Sequence, residues 1–195
     1  VRRTAEETAA TRAAVLDAAL FVFAERGYAS ATLADVAGRA GVTRGAVYHH
    51  FADKSALLAA VLGEPWDAVA GPAWAELDGP GVRGLPLRER LPAFAAAWLG
   101  ALREDARFQA LMAVGMDAGG RDPAPGAKAH ALVEWRDRLA TTFRAARAEL
   151  ADGVTPEAAA AHLLAWLCGT AMLAGADPSL IGPASATAAF RGLLR

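Results

Sequence analysis

Between Thr43 and Phe51 the chain reads Thr-Arg-Gly-Ala-Val-Tyr-His-His-Phe. On a helix turning about 100° per residue, Ala46, Val47, His50 and Phe51 fall within one arc, and Arg44, Gly45, Tyr48 and His49 within the opposite one. The first arc suits burial. The second carries a bidentate donor, a glycine that lets another backbone approach closely, and two polar aromatic rings. That is a sensible chemistry for a face that reads base edges in a major groove. An ordinary solvated helix face carries such residues too, and the pattern alone leaves both readings open. Other chemistries are poorly represented. The chain has no Gly-x-Ser-x-Gly, no His-Glu-x-x-His, no phosphate-cradling glycine loop and no Cys-x-x-Cys. His49 and His50 are adjacent, so on a helix they point about 100° apart and share a metal only with distortion. No catalytic residue, metal or cofactor is expected, although an all-α enzyme working by an acid–base pair stays open as an alternative.

The elements that must position this face are legible on either side of it. Thr11 to Arg26 reads as a helix with Val15, Ala19, Val22 and Phe23 on one stripe, and Gly27 as its stop. Thr32 is an N-cap with Asp35 three residues on, in the position of a capping box. Leu33, Val36, Ala37 and Ala40 then give a short helix one apolar face, and Gly41 permits the left-handed turn that ends it. Thr43 caps the helix to about Phe51, and Asp53 caps the next, which begins with Lys54. Three short capped helices with a glycine in the second turn match a helix-turn-helix arrangement.

Composition sets the frame. The 195 residues are 54% apolar and 21% charged, enough for a real core and incompatible with global disorder. One cysteine, Cys168, excludes an intramolecular disulfide and a Cys-rich zinc site. Residues 1–60 hold seven Lys+Arg against six Asp+Glu, a net of +1 that has the right sign for phosphates but is small. Arg outnumbers Lys eighteen to two, which with the Ala and Gly content looks like bacterial, GC-biased coding. The N-terminus lacks the apolar stretch of a signal peptide, so a cytoplasmic address is expected. Ala158 to Ala176 carry no Asp, Glu, Lys or Arg. With Ala dominant and His162, Gly169, Thr170 and Gly175 inside it, that run reads as a buried or subunit-facing helix rather than a membrane span.

The segment from Thr11-Arg12-Ala13-Ala14-Val15 through Phe23-Ala24-Glu25-Arg26-Gly27-Tyr28, Thr32-Leu33-Ala34-Asp35-Val36-Ala37 and Ala40 to Phe51, then Asp53-Lys54, resembles the head of the TetR family of bacterial regulators. Its wording is most like the AcrR-like multidrug-efflux repressors, and the match covers about residues 8–62. The resemblance implies a homodimer whose two recognition helices enter successive major grooves of a palindromic operator. It places Arg44 and Gly45 near base edges and Tyr48 and His49 near bases or backbone, with Thr32, Thr43, His50 and Lys54 holding phosphates. Lys54 stands in the first turn of its helix, where the dipole disfavours a cation, and a phosphate would offset that.

Strand signals are scarce throughout, so the expected fold is all-α with about nine helices: a helix-turn-helix head over residues 1–54 and a helical-bundle effector-binding and dimerisation domain over 55–195. In the second part Leu87, Leu91, Phe94, Trp98 and Leu102 share one helix face, and Trp66, Trp98, Phe108, Met112 and Trp135 are candidates for an apolar pocket, with Trp74 also available. Any one of them can equally be plain core. Thr155-Pro156 opens a helix whose Leu163, Trp166, Leu167 and Thr170 are candidates for the dimer interface, completed by a last helix near Ser185 to Leu194. Pro65, followed by Gly71-Pro72, interrupts the helix begun at Lys54 and predicts a bend near Gly63 to Pro65, either a hinge through which ligand could change head spacing or a permanent kink with no signalling role. The implied function is a repressor released from DNA by a hydrophobic small molecule. A dimeric DNA-binding regulator without an effector is the alternative.

Overall fold

The computed structural model describes residues 5–64, 66–116 and 127–195, without the side chains of residues 66, 67, 127, 128 and 130. Among these residues the chain is all-α. The helices are α1 (Ala5–Ser30), α2 (Leu33–Ala40), α3 (Arg44–His50), α4 (Lys54–Gly63), the single turn α5 (Trp66–Val69), α6 (Gly71–Asp78), α7 (Leu87–Glu104), α8 (Ala106–Met116), α9 (Ala127–Ala145), α10 (Pro156–Ala176) and α11 (Pro183–Phe190). One antiparallel bridge, Leu150 with Leu194, pins the end of the chain against the α9–α10 connection.

Local chemistry sets the boundaries of the head. Gly27 takes φ 72° and ψ 153° inside α1, so the regular helix ends there and a last turn continues to Ser30. At Thr32 the capping box is complete. Its hydroxyl accepts from the Asp35 N–H, and the Asp35 carboxylate accepts from the Thr32 N–H. Gly41 is left-handed at φ 67°, and the Val42 N–H reaches back to the Ala37 carbonyl at 3.0 Å, closing a Schellman turn. Thr43, Asp53 and Thr155 each accept from a backbone N–H three residues on.

α1 serves two bodies at once. It packs on α2, α3 and α4 on one side and on α8 on the other, where Asp17 pairs with Arg107 at 3.0 Å. α4 ends at Gly63 and helix resumes at Trp66. Pro65, on which the expected bend centres, lies outside the described residues. At the end of α4 a bidentate ion pair from Arg12 to Glu64 ties that end to α1.

In the larger part the expected stripe on α7 is all inside: Leu87, Leu91, Phe94 and Trp98 are fully buried and Leu102 nearly so. α10 lies against α9, α8 and α7. This corrects the expected dimer surface. Leu163 and Leu167 are fully buried within the protomer, and buried Thr170 accepts a hydrogen bond from Trp98 Nε1 at 3.1 Å. A side chain already out of water has no surface left to bury against a second copy. Trp166 is half-buried and packs on Phe190 of α11, with ring centroids 5.6 Å apart. The open flank of α10 is instead Ala158, Ala161, His162, Ala165, Met172 and Leu173.

Candidate nucleic-acid interface and aromatic cluster

α3 is held by its inner arc. Val47 is fully buried and Phe51 is 4% exposed, while Arg44, Gly45, Tyr48 and His49 are exposed and Ala46 and His50 are half-buried. The Arg12 guanidinium lies 5.1 Å over the Phe51 ring, so the Arg12–Glu64 pair also clamps the end of α3. Each partner of that pair shifts the other. Arg12 hydrogen bonding holds the Glu64 carboxyl below the usual carboxylate range, and Glu64 raises the Arg12 pKa.

On the outer arc Arg44 and Tyr48, four residues apart, face one another. Nη2 of Arg44 donates to the Tyr48 hydroxyl at 3.3 Å, and its guanidinium stands 5.6 Å from the ring centre. The contact orders a fork of donors that is otherwise open to an external acceptor. At Gly45 an added Cβ would meet only Thr43 Oγ1, at 3.9 Å, an ordinary contact. Glycine costs a helix interior about 1 kcal/mol relative to alanine, so the fold itself does not ask for it here. The fold leaves room here for a side chain that the sequence does not supply. His49 sits edge-on to His50, with ring centroids 5.1 Å apart and the ring planes at 72°.

The residues expected around phosphates divide. Thr43 accepts from the Ala46 N–H at 3.2 Å, which leaves its own hydrogen to donate at the N-terminus of α3. The Thr32 hydroxyl donates to Asp35 at 2.7 Å, and that carboxylate is paired in turn with Arg26. Donation from Thr32 and its backbone N–H holds Asp35 below its ordinary pKa. Thr32 is therefore committed inside the cap. His50 is half-buried, on the side of Phe51. Lys54 differs from expectation. Its Nζ donates to the carbonyls of Tyr28 at 2.6 Å, Ala31 at 2.8 Å and Ala29 at 3.2 Å, and stands 4.4 Å from the Tyr28 ring centre. An ammonium has three protons, and all three are taken. What offsets the unfavourable dipole of α4 is the carbonyl end of α1, where a cation is favoured. Sequence reasoning missed this because Lys54 and Tyr28 meet only when α1 and α4 pack.

Three of the five expected pocket residues come together. Trp98 lies edge-to-face on Phe108 at 4.9 Å and on Trp135 at 5.7 Å, and Trp74 and Phe94 complete one cluster between α6, α7, α8 and α9. Met112 lines a groove of about 810 Å³ between α1, α8 and α10, together with Met116 and Met172, so all three methionines of the chain face it. The Trp66 side chain lies outside the described residues.

Residues 15–61 match the family described as bacterial regulatory proteins, tetR family. The chain is 55% identical over 62 residues to the HTH-type transcriptional regulator TtgR of Pseudomonas putida, which is 32% of this chain and 30% of TtgR. It is 47% identical over 60 residues to AcrR of Shigella flexneri, or 31% of this chain and 28% of that one. The chain thus matches less than a third of the length of these curated relatives. Structural likeness extends much further. SmeT, the repressor of the Stenotrophomonas maltophilia multidrug efflux pump SmeDEF, superimposes with a TM-score of 0.77 at 29% identity over 96% of this chain and 92% of SmeT, and has also been solved with triclosan. Residues 15–61 thus carry a head of the tetR family, capped as its sequence requires, on a body whose fold follows SmeT almost throughout.

Proposed function

We propose that the chain is a ligand-responsive transcriptional repressor, a cytoplasmic homodimer that sits on a palindromic operator and leaves it when a hydrophobic small molecule binds. The observation that carries this reading is the division of α3, with Val47 and Phe51 anchored inside while Arg44, Gly45, Tyr48 and His49 stand outside on a rigid, capped helix. Residues 1–54 form the head and residues 55–195 the effector-binding and dimerisation part. Arg44 reads a guanine edge, Gly45 lets the backbone close on the groove, Tyr48 and His49 contact bases or backbone, and the N-terminus of α3 with Thr43 holds a phosphate. The effector lodges beside the Trp74–Phe94–Trp98–Phe108–Trp135 cluster. Triclosan, which SmeT binds in its complex, is an aromatic, largely apolar molecule of the kind such a cluster accepts.

The mechanism is linkage. α8 carries Phe108 of the cluster on its inner side and supports α1 through the Arg107–Asp17 pair. A ligand that displaces α8 therefore displaces the heads. If ligand favours a head spacing that misfits the operator, operator and ligand weaken each other by the same factor. The open apolar flank of α10 supplies the surface on which two copies meet.

The test begins with duplexes selected from a random pool by the purified protein. Arg44→Ala is expected to lose about 1–3 kcal/mol on the selected duplex and to discriminate poorly between bases. Triclosan is expected to raise the melting temperature and to release the duplex. No preference for any duplex over random competitor at physiological ionic strength refutes the reading. DNA binding with no response to any apolar compound leaves a regulator that senses nothing.

A further inference from the structure

A cavity of about 720 Å³ opens where the end of α6, the α6–α7 connection and the last turns of α9 meet. Its charged lining is Arg83, Arg90, Arg138, Asp78 and Glu149. Each carboxylate has a hydrogen-bond partner, Asp78 a cation and Glu149 a backbone N–H. Asp78 accepts two hydrogen bonds from Arg138, at 2.5 and 2.7 Å. Glu149 accepts the Leu87 N–H at 2.7 Å, at the first turn of α7, where the helix dipole favours a negative charge. Arg83 donates from Nε to the Asp78 carbonyl at 2.7 Å.

Among the described residues, Arg83 and Arg90 are the two cations of the lining without a carboxylate partner; Arg83 is exposed and Arg90 is buried. Arg90 is only 6% exposed, although it lines the cavity. Its Nη1 donates to the Leu77 carbonyl at 2.9 Å, and its Nε is buried with no partner. Among the described residues Arg90 takes part in no ion pair. A buried charge with one neutral acceptor is costly unless a counter-charge arrives, and the position did not require a cation. Arg90 falls three residues after Leu87 and four before Phe94, on a stripe that is otherwise apolar.

We propose that this cavity binds a small organic carboxylate. The carboxylate takes hydrogen bonds from the Arg90 and Arg138 guanidinium groups, whose forks match it, and the apolar body lies along Leu85, Pro86, Ala145 and Ala146. The volume is far more than an inorganic anion fills, and the apolar lining gives a carbon skeleton something to bury against. The site is separate from the aromatic cluster but shares a wall with it. The Arg138 guanidinium lies 4.5 Å over the Trp74 ring. A carboxylate that draws on Arg138 competes with Asp78 and alters what holds Trp74, so the two sites feel each other.

The test is calorimetric titration of the full chain, without DNA, using sodium benzoate, neutral benzamide and inorganic phosphate, so its outcome is independent of operator binding. Benzoate is expected to bind saturably, with benzamide and phosphate at least tenfold weaker. Arg90→Met is expected to weaken benzoate at least tenfold and Arg138→Gln at least threefold. In ¹⁵N spectra of arginine Nε–H groups, benzoate should move the resonance that Arg90→Met removes. If Arg90→Met does not fold, Arg138→Gln and a shifted buried Nε–H resonance of the wild type carry the test. Absence of benzoate binding, equal binding of benzamide, phosphate binding as tightly as benzoate, or wild-type affinity in the Arg138→Gln variant each overturns the proposal.

Discussion

Replacing Lys54 by Met separates two roles that one residue was expected to combine. The side chain keeps its stem and loses its ammonium. In the structure that ammonium donates to three carbonyls and faces the Tyr28 ring. Hydrogen bonds from a charged group contribute about 1.5–3 kcal/mol net, and one cation shared among three acceptors contributes once rather than three times. The ring adds about 0.5–1 kcal/mol at a half-exposed site. Against this, removing a cation from the first turn of α4 recovers about 0.3–1 kcal/mol, and the freed carbonyls are partly rehydrated. The net loss is about 2 kcal/mol, which for a chain of this length lowers the melting temperature by about 4–8 °C. Circular dichroism at a fixed protomer concentration measures it. If Lys54 instead held a phosphate, each protomer would contribute about 0.9 to the slope of log affinity against log salt, or about 1.8 per dimer. Titration of a selected duplex between about 50 and 200 mM salt measures that. The structure predicts a lower melting temperature with an unchanged slope. An unchanged melting temperature with a slope shallower by about 1.8 refutes the reasoning.

Gly45→Ala is expected to stabilise the fold by up to about 1 kcal/mol in urea unfolding while weakening the selected duplex at least tenfold; equal DNA affinity would mean nothing approaches that face closely. Glu64→Gln should cost about 0.5 kcal/mol at neutral pH, a modest figure because both partners of the Arg12 pair are more than a third exposed. Because Arg12 holds the folded Glu64 below its ordinary pKa, the contribution is full above the unfolded value and lost as pH falls through the folded one. Wild type and Glu64→Gln should therefore converge in stability on acidification below the usual carboxylate range, and a gap that persists there contradicts the ion-pair account. Met172→Glu, on the open flank of α10, should shift sedimentation toward monomer, whereas an unaltered dimer places the interface elsewhere.

The head was legible in the residues because its information is local. Caps, a left-handed glycine and an apolar period each act within a turn or two, so Thr32, Gly41, Thr43 and Asp53 announce their helix boundaries before any packing is known. The two arcs of α3 follow from helical geometry alone, and the burial of Val47 and Phe51 agrees with them. Arg90 also carries a readable signal, since an arginine on the buried stripe of α7 is anomalous by spacing. The partners of Lys54, the inward direction of Leu163, Leu167 and Thr170, and the closing of Trp98 on Trp135 were not legible. α10 is apolar nearly all round, so its periodicity names no inner face, and only docking on α9 chose one. Lys54 and Tyr28 are 26 residues apart, and no spacing rule joins them. Local chemistry settled where helices start and stop and which side of α3 faces out; the packing of one helix on another decided which charges are matched, which apolar faces are used up, and which remain for a partner.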